Sequence, residues 1–108
     1  MSTRSIYSIQ AELCRAMGSQ ARLEIVHLLR DNPLRVCEIA RKLNLPQPTV
    51  SRHLSILRQA GILICQREVD GISYQIANPK IIEVCDLMKE VLIEKITRQS
   101  QITGTPVV

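Results

Sequence analysis

The residues best suited to chemistry fall into two groups. The first lies in "LPQPTVSRHLSILRQAGIL", residues 45–63, where Gln47, Thr49, Ser51 and Arg52 stand among regularly spaced aliphatics. A glutamine amide pairs with adenine, an arginine fork with guanine, and serine or threonine hydroxyls with phosphate or either class of base. The second group is four thiols, Cys14, Cys37, Cys65 and Cys85, which are widely separated and include no C-x-x-C pair. That spacing argues against a zinc ribbon or a thioredoxin-like motif. Thiols brought together by folding could still bind a soft metalloid ion or oxidise. The two histidines, His27 and His53, fall on helix positions read as near the core. No nucleophile–base–acid set, glycine-rich phosphate loop or metal triad accompanies them, so an enzyme is disfavoured.

Short helices must position these groups. Ile6, Ile9, Leu13 and Met17 recur at helical spacing and predict a first helix ending at Gly18. Ser19 can cap a second helix with Leu23, Val26 and Leu29 apolar, stopped by Asp31-Asn32-Pro33. "LRVCEIARKLNL" predicts a third, with Val36, Ile39, Ala40 and Leu43 inward and Asn44 as its left-handed end. The fourth starts near Pro48, where a missing N–H is no loss, buries Val50, Leu54 and Leu57, and stops at Gly61. The period then becomes alternating. Leu63, Cys65 and Arg67 oppose Ile64 and Gln66, residues 69–71 form a turn, and Ile72, Tyr74 and Ile76 alternate again, as in a β-hairpin. Asn78-Pro79 opens a last helix with a wide apolar stripe: Ile81, Val84/Cys85, Met88, Val91/Leu92 and Ile96. The chain is thus predicted to be mainly α with a β-hairpin. It would form one domain over residues 1–98, with residues 99–108 as a polar, flexible tail.

Two short helices joined by "NLPQ" have helix-turn-helix spacing. In that motif the second helix enters the major groove with its N-terminal residues against base edges. Setting Val50, Leu54 and Leu57 inward places Arg52, Ser55 and Gln59 outward and gathers Gln47, Thr49 and Ser51 at the helix N-terminus, which also favours phosphate. His53 sits beside the core stripe and reads as packed support. The hairpin after such a pair is a wing, on which Arg67 could meet a phosphate or the minor groove, or remain a solvated charge. A net charge of +4 suits an acidic partner. With no Trp, no Phe and two Tyr, the core must be aliphatic. No run is long enough for a membrane span and "MSTRSIYSIQ" lacks the apolar stretch of a signal peptide, so a cytoplasmic protein with reduced thiols is expected.

From about Leu13 to the last helix, the chain resembles the ArsR/SmtB family of winged-helix repressors. The segments that carry the resemblance are "LCRAMGSQARLEIVHLL", "VCEIARKLNLPQPTVSRHLSILRQAGIL" and "GISYQIANP". The resemblance implies a homodimer made by the first and last helices, bound to double-stranded operator DNA of imperfect two-fold symmetry and weakened by an effector. The positions matching the family's DNA contacts are Gln47, Thr49, Ser51, Arg52 and, in the wing, Arg67. Independently, the short chain and the wide stripe of its last helix favour dimerisation.

The resemblance also allows its sensing sites to be tested. The zinc site of the last helix would fall on Asn78, Lys80, Val91 and Glu94, and a lone Glu cannot hold zinc. A C-V-C site at the third helix is half matched: Cys37 is present, but Arg35 replaces the first cysteine. Cys37 at a helix N-terminus favours thiolate, though a lone cysteine also serves as a small apolar filler. Cys14 and Cys85 form a further candidate pair, if the first and last helices build the dimer. A branch using cysteines of the second and last helices is not reproduced, because His27 occupies the second-helix position. The effector set is therefore Cys14, Cys37 and Cys85, acted on by arsenite or another thiophilic ion, or by oxidant or sulfide species. Cys65 reads as incidental. The alternatives are a DNA-binding dimer with no thiol effector, and a winged-helix module for protein contact.

Overall fold

The computed structural model describes residues 4–103. It has α1 (Ile6–Met17), α2 (Gln20–Leu28), β1 (Leu34–Arg35), α3 (Val36–Leu43), α4 (Gln47–Gln59), β2 (Leu63–Glu68), β3 (Gly71–Ile76) and α5 (Lys80–Thr103).

Each helix boundary has a local cause. Ser5 Oγ accepts from Ser8 N at 3.1 Å and Ser19 Oγ from Arg22 N at 3.4 Å, so hydroxyls cap α1 and α2. Glu38 Oε1 accepts from Arg35 N at 3.0 Å at the start of α3. Asn44 closes α3 in the left-handed region (φ 56°), letting Leu45 N reach Ala40 O at 3.0 Å. Pro48 lies in the first turn of α4. Gly61, at φ 80°, turns the chain out of α4 so that Ile62 N bonds Leu57 O at 3.0 Å and Ile62 is buried.

The core is aliphatic. Ile25, Ile39, Val50, Leu54, Leu57 and Ile62 are fully enclosed where α2, α3, α4 and the base of β2 meet. The stripe predicted for α4 is this core's centre.

One element was not predicted. Residues Leu34–Arg35 form β1 and pair with β3, Leu34 opposite Tyr74 and Arg35 opposite Ser73. The sheet is therefore three-stranded and antiparallel, in the order β1-β3-β2. Two residues carry no alternation to read, so only the partner strand defines them. The hairpin register pairs Leu63 with Ile76 and Glu68 with Gly71, leaving Val69-Asp70 at the tip.

The last helix also departs from expectation. It continues to Thr103, past Gln99 where a tail was expected, because the first helix breaker is Gly104. The rest of the expected tail, residues 104–108, lies outside the described residues. Among the described residues of α5, Ile81, Ile82 and Cys85 pack against the core. Val84, Met88, Val91 and Leu92 are at least half exposed, as are Ile6 and Tyr7 of α1. Among the described residues, no helix is long and apolar enough to cross a membrane.

Candidate nucleic-acid interface

Burying Val50, Leu54 and Leu57 fixes the rotation of α4 and leaves Gln47, Ser51, Arg52, Ser55 and Gln59 exposed. Thr49 is half-buried. Gln47, Thr49 and Ser51 thus lie at the N-terminal end of α4, with Arg52 beside them. The residue before the helix, Pro46, supplies no side-chain cap, and the first turn carries no acidic residue. That end is therefore electropositive and free of a competing carboxylate.

Arg67 is exposed on β2, opposite Ile72. It shares its strand face with Leu63, but the strand has passed the edge of the core, so that face opens to solvent. Cys65 lies between them, exposed, and Arg58 Nη1 donates to its Sγ at 3.3 Å, joining the wing to the end of α4.

The wing has an anchor that the sequence reading missed. Arg35 Nη2 donates to Glu68 Oε2 at 3.0 Å and also to Asp70 Oδ1, tying the tip to the start of α3. Hydrogen bonds from Arg35 hold both carboxyls below the usual range and raise its own pKa. The residue that breaks the C-V-C pattern is thus occupied in bracing the wing. Its acidic partners are more than thirty residues away in sequence, and only strand pairing brings them close.

His53 is half-buried and supportive, as expected. Its Nδ1 lies 3.2 Å from Arg22 Nη1. Burial first, then the charges of Arg22 and Arg52, push its pKa down. His27, by contrast, is exposed rather than near the core. Helix α2 turns it towards solvent, where its Nδ1 lies 3.3 Å from Arg30 Nη1 and 3.5 Å from Lys89 Nζ.

All four cysteines are free. Cys14 and Cys37 are exposed on α1 and α3, and Cys85 is half-buried on α5. Cys85 lines a cavity of about 310 Å³ between α2 and α5, with Leu23, His27 and Leu92 among its walls. Burial raises the Cys85 thiol pKa, keeping it protonated near neutrality. Among the described residues, no three His, Cys, Asp or Glu side chains converge as a metal site within one chain.

A polar-faced helix set on a helix-turn-helix scaffold, with a β-hairpin beside it, defines a winged helix-turn-helix DNA-binding protein. A family model described as bacterial regulatory protein, arsR family, matches residues 19–64. An uncharacterised HTH-type transcriptional regulator of Methanocaldococcus jannaschii is 39% identical over 85 residues, covering 78% of this chain and 96% of that one. The arsenic resistance transcriptional regulator ArsR1 of Pseudomonas putida is 35% identical over 81 residues, 75% of this chain and 62% of that one. Among solved structures, the homodimeric winged helix-turn-helix DNA-binding domain from Mycobacterium bovis matches with a TM-score of 0.76 at 25% identity, covering 87% of this chain and 92% of that one. The chain belongs to the ArsR/SmtB family of DNA-binding transcriptional regulators.

Proposed function

We propose that this protein is a cytoplasmic repressor. It binds operator DNA as a homodimer through α1 and α5 and is released when an effector acts on cysteine thiols. The observation that carries the DNA reading is the exposed polar face of α4, opposite a fully buried stripe and free of acidic residues in its first turn. In this reading Gln47, Thr49, Ser51 and Arg52 meet the major groove and Arg67 of the wing meets backbone or minor groove. The half-exposed stripe Val84, Met88 and Val91 on α5, with Ile6 and Tyr7 on α1, supports the dimer. It is exposed apolar surface on the two helices expected to pair, and the M. bovis relative is homodimeric.

Cys14 on α1 and Cys85 on α5 would then lie on the helices that join the subunits. An event at either thiol could reset the spacing of the two α4 helices. Cys37, near the start of α3, the first helix of the DNA-reading pair, is the remaining candidate. The effector proposed is arsenite or a similar soft ion, or an oxidant or sulfide species; the relative from P. putida is an arsenic resistance regulator.

The test is operator binding by purified protein, using a duplex selected by the protein from a random pool. Affinity should fall with arsenite, or with oxidant or polysulfide, and recover with reductant. Mass spectrometry of each thiol, with and without DNA, should identify the cysteine that reacts. If a variant with all four cysteines changed to Ser responds like the parent, the thiol effector is refuted and the DNA-binding reading stands.

A further inference from the structure

Arg22 is the side chain that joins α1, α2 and α4. It lies in the first turn of α2, half-buried. Its Nε donates to Ala16 O at 2.6 Å, and its Nη2 to Arg15 O at 3.4 Å. Both carbonyls belong to the last turn of α1, whose carbonyls lack continuing helical partners; Arg15 O also accepts from the capping Gly18 N at 3.1 Å. Its Nη1 meets His53 Nδ1 at 3.2 Å, on α4, one residue beyond Arg52.

A guanidinium only donates. The hydrogen bond to His53 therefore requires a lone pair on Nδ1, hence a neutral ring with its proton on Nε2. Protonated His53 would present an N–H to an N–H, between two positive charges. Among the described residues, the charges that act on the ring are Arg22 from α2 and Arg52 from α4.

We propose that Arg22 is a positioning residue for DNA reading, tying core-anchored α4 to the end of α1 through neutral His53, so that protonation of His53 breaks this tie and weakens DNA binding. The inference rests on α4 being the DNA-reading helix. It also sets a sign. Adding positive charge near DNA ordinarily strengthens binding, whereas here acidification weakens it. Burial and the two arginines hold the ring below its ordinary value of 6.5, so the loss falls below that pH.

The test compares the parent with Arg22→Gln, Arg22→Lys and His53→Asn. Asparagine keeps an acceptor near the Nδ1 position and does not titrate. Binding to a duplex selected by the protein from a random pool is followed by anisotropy from pH 7.5 to 5.5 at constant ionic strength. The parent should lose affinity progressively below pH 6.5, by less than about tenfold at pH 5.5 because the ring titrates below its ordinary value. His53→Asn should be flat across this range. Arg22→Gln should bind at pH 7.5 as weakly as the acidified parent, and Arg22→Lys should recover part of the loss.

A nitrogen-15 spectrum of the free protein's imidazoles, assigned with His27→Gln, should show His53 neutral with its proton on Nε2. A proton on Nδ1 at neutral pH overturns the proposal even if an Arg22 variant does not fold. So does a His53→Asn profile that matches the parent's, or an Arg22→Gln variant that folds and binds as well as the parent. Failure of every form to bind DNA would overturn the DNA-reading role of α4, while the spectrum would still test the Arg22–His53 bond.

Discussion

Val91→Ala should weaken the homodimer by about 30-fold without unfolding the subunit. Val91 is 66% exposed on α5, between Val84 and Met88 on one side and Lys95 on the other. The substitution removes two methyl groups, each worth ~0.8 kcal/mol when fully buried. Scaled by that exposure, the loss is about 1 kcal/mol per subunit. A two-fold interface counts each residue twice, giving about 2 kcal/mol, or roughly 30-fold in the dissociation constant. Alanine is the strongest helix former, so α5 should persist and far-ultraviolet circular dichroism should be unchanged. The assay is sedimentation equilibrium over a dilution series. Operator affinity should fall in parallel, because one subunit presents one recognition helix. A dissociation constant within about threefold of the parent's would refute the argument that a second copy covers this stripe.

Three further outcomes follow from the same structure. Arg52→Ala should cost roughly 1–3 kcal/mol on the selected duplex and relax its sequence preference, while Arg67→Ala should weaken all sequences alike and flatten the salt slope by about one unit; competition against scrambled duplexes across a salt series separates them. Leu54→Ala opens a cavity at a fully buried site; it should cost about 2–5 kcal/mol and lower the melting temperature by about ten degrees or more, and a calorimetric melt within two or three degrees or so of the parent's would contradict the packing. Arg35→Ala should release Glu68 and Asp70, whose carboxyls Arg35 holds below the usual range. A lowered carboxyl pKa stabilises the wing above the ordinary carboxylate range and loses that effect as pH falls through the lowered values. Carboxyl carbon-13 titrations should therefore move up towards ordinary values in the variant, and unmoved titrations would exclude the brace.

The helices were legible because their signals are local. Ser19, Asn44, Pro48 and Gly61 each act on the backbone within a turn of themselves, and all four boundaries stand where those residues put them. The exposed face of α4 was legible for the same reason: once Val50, Leu54 and Leu57 are buried, a period of 3.6 residues turns Arg52, Ser55 and Gln59 outward, while Gln47 is exposed because it begins the helix. Periodicity could not say how much of α5's stripe its own subunit would cover. The same repeat serves a core and an interface, and only packing shows that Ile81, Ile82 and Cys85 go inward while Val84 and Val91 stay open.

What sequence alone determined was the order of helices and hairpin, the aliphatic core and the polar face of the reading helix, since each follows from residues within a few positions of one another. What only the tertiary structure decided was everything built across long separations. Strand β1 exists because β3 pairs with it. Arg35 becomes a wing brace because the hairpin folds Glu68 and Asp70 back to it. His53 becomes the acceptor of Arg22, thirty-one residues earlier, because α1, α2 and α4 meet at one corner. Side-chain chemistry is written in the sequence, but a hydrogen bond or ion pair needs distance and direction, and those come only from the packed fold.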